Sequence, residues 1–271
     1  MHMTLRAVGG ILVGYLIVLG LLGALQDKLL LFPPAAAGMA ETSDVGVRLA
    51  GDDAAPLGWV REPDAAPAKA TMLVFHGNAG CAHHHGALAD LLARRGWRVV
   101  SVEYPGYCGR PGAATVDAIL QDAARQVDWA QRRYPGRLAV GGYSLGAAVA
   151  AAVTDEPGVE ALLLITPWAS LRDLAQHHYP YLPARLVVRR DLETIDSLER
   201  AARRALPTAV LAAGRDAVIP VEHARRIAQR HPHAHYLELP AAGHNDWIDH
   251  ARGADWDALD AALGVAAAPP R

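Results

Sequence analysis

Gly142-Tyr143-Ser144-Leu145-Gly146 lies between two apolar runs of different character. Leu138–Gly141 before it reads as a strand, and the Ala-rich Leu145–Thr154 after it reads as a helix. The stretch fits Gly-x-Ser-x-Gly. A serine between strand and helix sits on a sharp turn, and glycines two residues to either side let the two elements approach closely. The turn lifts the serine hydroxyl above the sheet, where the free N–H groups of the helix start favour negative charge. The bare pattern recurs by chance as a glycine-rich loop. The strand–turn–helix setting is what points to a nucleophile at Ser144.

Working outward, strands and helices alternate. Thr71–Phe75 is a continuous apolar run, as expected of a strand buried on both faces. A helix is expected over Ala82–Arg95, with Leu88, Leu91 and Leu92 on one side and Gly96 as its stop. Arg98–Val102 is the next strand, and Val116–Tyr134 a long amphipathic helix ended by Pro135-Gly136. Ala161–Ile165, Ala209–Ala213 and Tyr236–Leu239 complete the strands, with helices over Val221–Gln229 and Asp255–Leu263. Upstream, Val45–Leu49 and Leu57–Arg61 read as short strands joined by a turn at Gly51-Asp52-Asp53. The pattern implies one α/β domain, a mostly parallel sheet with helices on both faces and its site at the carboxyl ends of the strands. Residues 172–207 break the alternation and read as a short insertion over the sheet edge.

The chain has 271 residues and a formal net charge of −2. No Lys/Arg-rich stretch stands out, which argues against nucleic acid as a partner. Much of the apolar excess lies at the N-terminus. Ala7–Leu25 is nineteen residues without a charge, preceded by Arg6 and followed by Asp27-Lys28. As a helix it is roughly 28 Å long, close to a bilayer core. Leu22-Gly23-Ala24 is a poor cleavage site, and the run lacks the polar face of an ordinary core helix. A retained single-pass anchor therefore fits best, with membrane localisation and a slight preference for an exported domain. The expected organisation is an anchor at 1–28, a juxtamembrane linker at 29–44, the catalytic domain at 45–265 and a tail at 266–271.

A serine hydroxyl needs a base, and in strand–helix folds of this kind the acid and then the histidine follow the serine along the chain. Asp216 in Gly214-Arg215-Asp216 follows the Ala209–Ala213 strand; a turn aspartate bonding its own backbone is the competing reading. His244 in Ala242-Gly243-His244-Asn245-Asp246 follows the last strand. His231, His233 and His235 come too early, His250 falls in a helix, and Asp246 is placed to cap the helix near Trp247. The oxyanion donors expected are the backbone N–H groups of Leu145 and of Asn78, the latter in His76-Gly77-Asn78-Ala79-Gly80. For His76, bracing of that loop outweighs a direct role. His83-His84-His85 cannot readily face one ion together, so no metal is expected, and the chemistry needs no cofactor. Tyr143, Trp168 and Trp247, with Tyr179 and Tyr181, are candidates for lining an acyl pocket, with ordinary packing an equal alternative.

Taken together, His76-Gly77-Asn78-Ala79-Gly80, Glu103-Tyr104-Pro105-Gly106-Tyr107, Gly142-Tyr143-Ser144-Leu145-Gly146, Gly214-Arg215-Asp216 with Val218-Ile219-Pro220, and Gly243-His244-Asn245-Asp246 resemble the Bem46-like branch of the α/β-hydrolases. That branch is similar to the serine aminopeptidase S33-type hydrolases and includes the ABHD17-like depalmitoylases. The resemblance covers about residues 45–265 and implies an α/β-hydrolase fold with little lid. It also implies a Ser144–His244–Asp216 triad acting on an ester, thioester or amide, with a small acyl-containing or lipid-like substrate. Pro105 and Cys108 depart from the arginine and glycine common in the branch. In such a fold Cys81 and Cys108 follow neighbouring strands, so a disulfide in an exported domain is one reading and two independent loop residues the other.

Overall fold

The computed structural model describes residues 2–34, 42–43, 46–50, 56–188 and 192–265. The turn expected at Gly51-Asp52-Asp53 and the tail at 266–271 lie outside the described residues. Nine strands form one sheet in the order β1-β2-β3-β5-β4-β6-β7-β8-β9. β1 (Thr42–Ser43), β2 (Gly46–Ala50) and β3 (Pro56–Arg61) are antiparallel to their neighbours. From β5 (Trp97–Val102) onward, through β4 (Ala70–Phe75), β6 (Leu138–Tyr143), β7 (Val159–Ile165), β8 (Thr208–Ala213) and β9 (His235–Leu239), the pairing is parallel.

Every residue of β4 is buried, because successive side chains enter two separate cores. Leu73 and Phe75 face one, Met72 and Val74 the other. The first core is closed by α4 (Val116–Arg133), α5 (Leu145–Ala152), α8 (Thr194–Arg203) and α9 (Glu222–Arg230). The second is closed by α3 (Gly86–Arg94), α10 (Trp247–His250) and α11 (Gly253–Ala262). α4 starts where Thr115 accepts the Ala118 N–H through its side chain, a sequence-local N-cap. The insertion at 172–207 folds as α6 (Leu171–His178), α7 (Ala184–Val187) and α8, a small helical cap.

Three expectations are corrected. The helix expected over Ala82–Arg95 is broken: Ala82–His85 is a 3₁₀ turn, and α3 begins at Gly86. The break falls at His85, whose φ −95° and ψ 22° leave α-helical geometry, while the Ala82 and Cys81 N–H groups are taken by the buried Glu103 carboxylate and by His84. At the N-terminus, α1 (His2–Ala24) closes at Ala24, where Leu25 leaves helical geometry at ψ 10°. Among the described residues no helix is long and apolar enough to cross a membrane, so the span expected over Ala7–Leu25 is not borne out. Beyond Leu25, α2 (Gln26–Leu30) leads into Leu31, which is 3% exposed and part of the first core. The first residues of the stretch expected as a linker are thus packed on the domain.

Candidate active site

The glycines of the serine motif are required by contact. A Cβ on Gly142 would overlap the carbonyl of Gly146, and a Cβ on Gly146 would overlap the carbonyl of Phe75 at the end of β4. Their absence lets α5 start directly against the β4 loop. Ser144 pays for this closeness with φ 56° and ψ −116°, a backbone conformation unusual for any residue with a side chain.

At the carboxyl ends of the strands three sequence-distant groups meet. Ser144 Oγ lies 3.1 Å from His244 Nε2, and His244 Nδ1 lies 2.7 Å from Asp216 Oδ2. The Asp216 and His244 side chains are 2% and 9% exposed. A carboxylate only accepts, so Nδ1 carries the proton and Nε2 is free to accept from the serine hydroxyl. Asp216 Oδ1 also accepts the N–H groups of Val218 (2.8 Å) and Ile219 (2.7 Å). One Asp216 oxygen thus closes its own turn while the other faces the imidazole. The first turn of α5 has Leu145 as its first residue, whose N–H is among the donors a helix start leaves unpaired.

Tyr143 is placed differently from a pocket wall. The single proton of its hydroxyl is shared between the His244 carbonyl (2.9 Å) and Asn245 Oδ1 (2.5 Å), and its ring centroid lies 5.1 Å from the imidazole. Burial holds this hydroxyl well above the usual tyrosine range, so it remains a donor. Trp247 packs 6.0 Å from the Tyr143 ring, and Trp168 is buried with Nε1 donating to the Leu192 carbonyl. Tyr179 and Tyr181 are exposed on the cap. A cavity of about 480 Å³ lies beside the cap, lined by Asp173, Gln176, His177, Arg185, Pro220, Glu222 and His223; it includes none of Ser144, Asp216 and His244. Asp246 precedes α10 without a side-chain cap bond to that helix; its Oδ1 instead accepts the Gly243 N–H at 2.6 Å, tightening the histidine loop.

Beneath the loop after β4 sits a polar cluster. His76, fully buried, bonds Glu103 Oε1 through Nε2 and the Gly77 carbonyl through Nδ1, each at 2.8 Å. Glu103 Oε2 accepts the Ala82 N–H, and Tyr104 Oη donates to the His76 carbonyl at 2.7 Å. His76 thus braces the loop. Glu103 and Tyr104 stand in a motif quoted from the sequence, but their roles depend on a neighbouring strand and have no local signature. Cys81 and Cys108 form a disulfide, Cα–Cα 5.9 Å, that ties the end of this loop to the loop after β5. His85 lies half-buried beside Tyr143, and burial lowers its imidazole to about 3, keeping it neutral.

A hydroxyl on an imidazole whose far nitrogen faces a buried carboxylate is the arrangement that makes a serine nucleophilic at neutral pH. The family model described as “Serine aminopeptidase, S33” matches residues 66–193. The chain is 33% identical over 210 residues to the uncharacterized protein Rv2307c of Mycobacterium tuberculosis, covering 76% of this chain and 71% of that one. It is 31% identical over 125 residues to the lysophosphatidylserine lipase ABHD12 of Danio rerio, covering 41% of this chain and 33% of the lipase. Among solved structures, the esterase Pf2001 of Pyrococcus furiosus superposes with TM-score 0.62 at 18% identity, over 79% of this chain and 89% of the esterase. Est1E of Butyrivibrio proteoclasticus, solved with ferulic acid, does so with TM-score 0.62 at 14% identity, over 78% and 94%. On fold, motif order and relatives together, the chain belongs to the α/β-hydrolase superfamily.

Proposed function

We propose that the protein is a serine hydrolase that cleaves carboxylic esters or thioesters, or amides, through an acyl-enzyme. The observation that carries this reading is the continuous hydrogen-bonded line from Ser144 Oγ through His244 to Asp216. Ser144 Oγ attacks the substrate carbonyl while His244 Nε2 takes the hydroxyl proton. Asp216 holds the imidazole tautomer and stabilises the imidazolium. The Leu145 and Asn78 N–H groups receive the oxyanion. Collapse of the tetrahedral adduct expels the leaving group, which takes the proton from His244. Water, deprotonated by His244, then hydrolyses the acyl-enzyme and frees the acid.

Esters of lipid-like or small acyl groups are the favoured substrates, since enzymes named as a lipase and as esterases are among the relatives and fold neighbours. The test is labelling of the full chain by a fluorophosphonate, beside Ser144→Ala and His244→Ala, followed by turnover of p-nitrophenyl esters, a thioester and a lysophospholipid. Labelling and ester turnover lost in both variants support the reading. A folded wild-type protein that neither labels nor turns over any ester supports a hydrolase-shaped binding protein instead.

A further inference from the structure

The segment following α2 is bonded to the residue assigned as an oxyanion donor. The Phe32 N–H donates to Asn78 Oδ1 at 3.0 Å, and Asn78 Nδ2 donates to the Leu30 carbonyl at 2.5 Å. The same Oδ1 accepts from Tyr107 Oη (3.1 Å) and from the Ala79 N–H (3.0 Å). Leu31, between the two backbone contacts, is buried in the core, and the Pro34 carbonyl accepts the Cys108 N–H from the loop across the disulfide. The Asn78 carboxamide is therefore occupied by scaffold: both of its ends bind main chain or Tyr107. Its neighbour Ala79 stands at φ 54°, a conformation that surrounding contacts must hold in place.

We propose that Leu30–Phe32 is a strap that positions the Asn78 loop for oxyanion binding, with Phe32 N–H and Tyr107 Oη as positioning groups. The inference rests on the serine hydrolase reading. An oxyanion donor acts through its placement relative to a charge that exists only in the transition state. Loosening the loop then lowers kcat and leaves ground-state substrate binding nearly unchanged.

The Phe32 ring is 57% exposed, so the position tolerates change of the side chain. Phe32→Pro deletes the N–H together with the exposed ring, and Phe32→Ala measures the loss of the ring by itself. A proline there requires an extended residue before it, and Leu31 already has φ −98° and ψ 128°. Phe32→Ala keeps the N–H and serves as the conservative partner. Tyr107→Phe removes one hydroxyl from Asn78 and tests the same point should the proline variant fail to fold. In the full chain, with folding checked by circular dichroism, Phe32→Pro is expected to lower kcat on a p-nitrophenyl ester about tenfold to a hundredfold, and Tyr107→Phe severalfold. KM stays within twofold, and Phe32→Ala stays near wild type. A trifluoromethyl ketone, which forms a tetrahedral oxyanion on the serine, loses affinity in parallel with kcat. Folded variants with kcat within twofold of an active wild type overturn the strap and leave the hydrolase reading standing. A folded wild type without labelling or turnover overturns both.

Discussion

Tyr143 Oη donates to the backbone carbonyl of His244, 2.9 Å away, so the residue beside the serine holds the loop that carries its proposed base. Tyr143→Phe keeps the ring against the imidazole and deletes the one hydroxyl proton shared between His244 O and Asn245 Oδ1. Stability is expected to fall by about 1–2 kcal/mol, at a typical net worth per bond. The kcat/KM value is expected to fall about tenfold, because the base is displaced while remaining present. Steady-state kinetics on an ester beside thermal unfolding checks both numbers.

Gly146→Ala tests the packing of the serine motif. The added methyl group would meet the backbone of Phe75 and His76, which has no side-chain freedom to move aside. The expected loss exceeds about 3 kcal/mol, at or beyond the upper end for overpacked cores. The outcome is a protein that unfolds at much lower urea or accumulates insoluble. Normal stability would show that the strand–helix contact is looser than described.

The Cys81–Cys108 disulfide closes a loop of sequence separation 27. Chain entropy alone assigns such a closure about 3.5 kcal/mol. Reduction, or the double change Cys81→Ser with Cys108→Ser, is expected to lower the unfolding free energy by about that amount. Denaturant unfolding with and without reductant measures it. Free thiols titrated in the oxidised, folded protein would remove the basis of the expectation.

His223 accepts the Ala169 N–H through Nδ1 and is 8% exposed; burial lowers its imidazole to about 4. The unfolded chain takes up a proton near the ordinary histidine value while the folded chain resists it. Stability is therefore fully present above about pH 6.5 and declines as pH falls toward 4, where the folded form also protonates. Between pH 6.5 and 5 this one group is expected to cost about 1–2 kcal/mol. His223→Gln removes the proton site, so its stability changes less over that range than the wild type's. Equal slopes in urea unfolding at several pH values would discount the group.

The parts of the site that were legible in the sequence are those with local grammar. Ser144 is announced by glycines whose spacing is a packing demand, and Asp216 and His244 by their place after strands of evident apolar character. The fully buried strands β4 and β8 read correctly because burial on both faces leaves a nearly unbroken apolar run. Other features rest on distant pairings. The Leu30 and Phe32 bonds to Asn78 join residues 48 and 46 positions apart, and nothing in Leu-Leu-Phe announces a partner so far along the chain. The 3₁₀ turn at Ala82–His85 has no local signature either: the sequence is helix-compatible, and the backbone leaves α geometry at His85 while Glu103, 21 positions on, holds the Ala82 N–H. Tyr143 was visible, but its hydroxyl's partners in the histidine loop lie 101 and 102 positions away.

The two glycines flanking Ser144 answer to the backbone of β4 and α5, whereas the serine hydroxyl answers, on the proposed reading, to chemistry. A descendant chain released from catalysis could exchange Ser144 for glycine, which carries a φ of 56° without strain, while Gly142 and Gly146 stayed fixed by steric necessity. The glycines are therefore a fossil of the architecture, and among such descendants it is Ser144, with His244 and Asp216, that records whether selection still favours turnover.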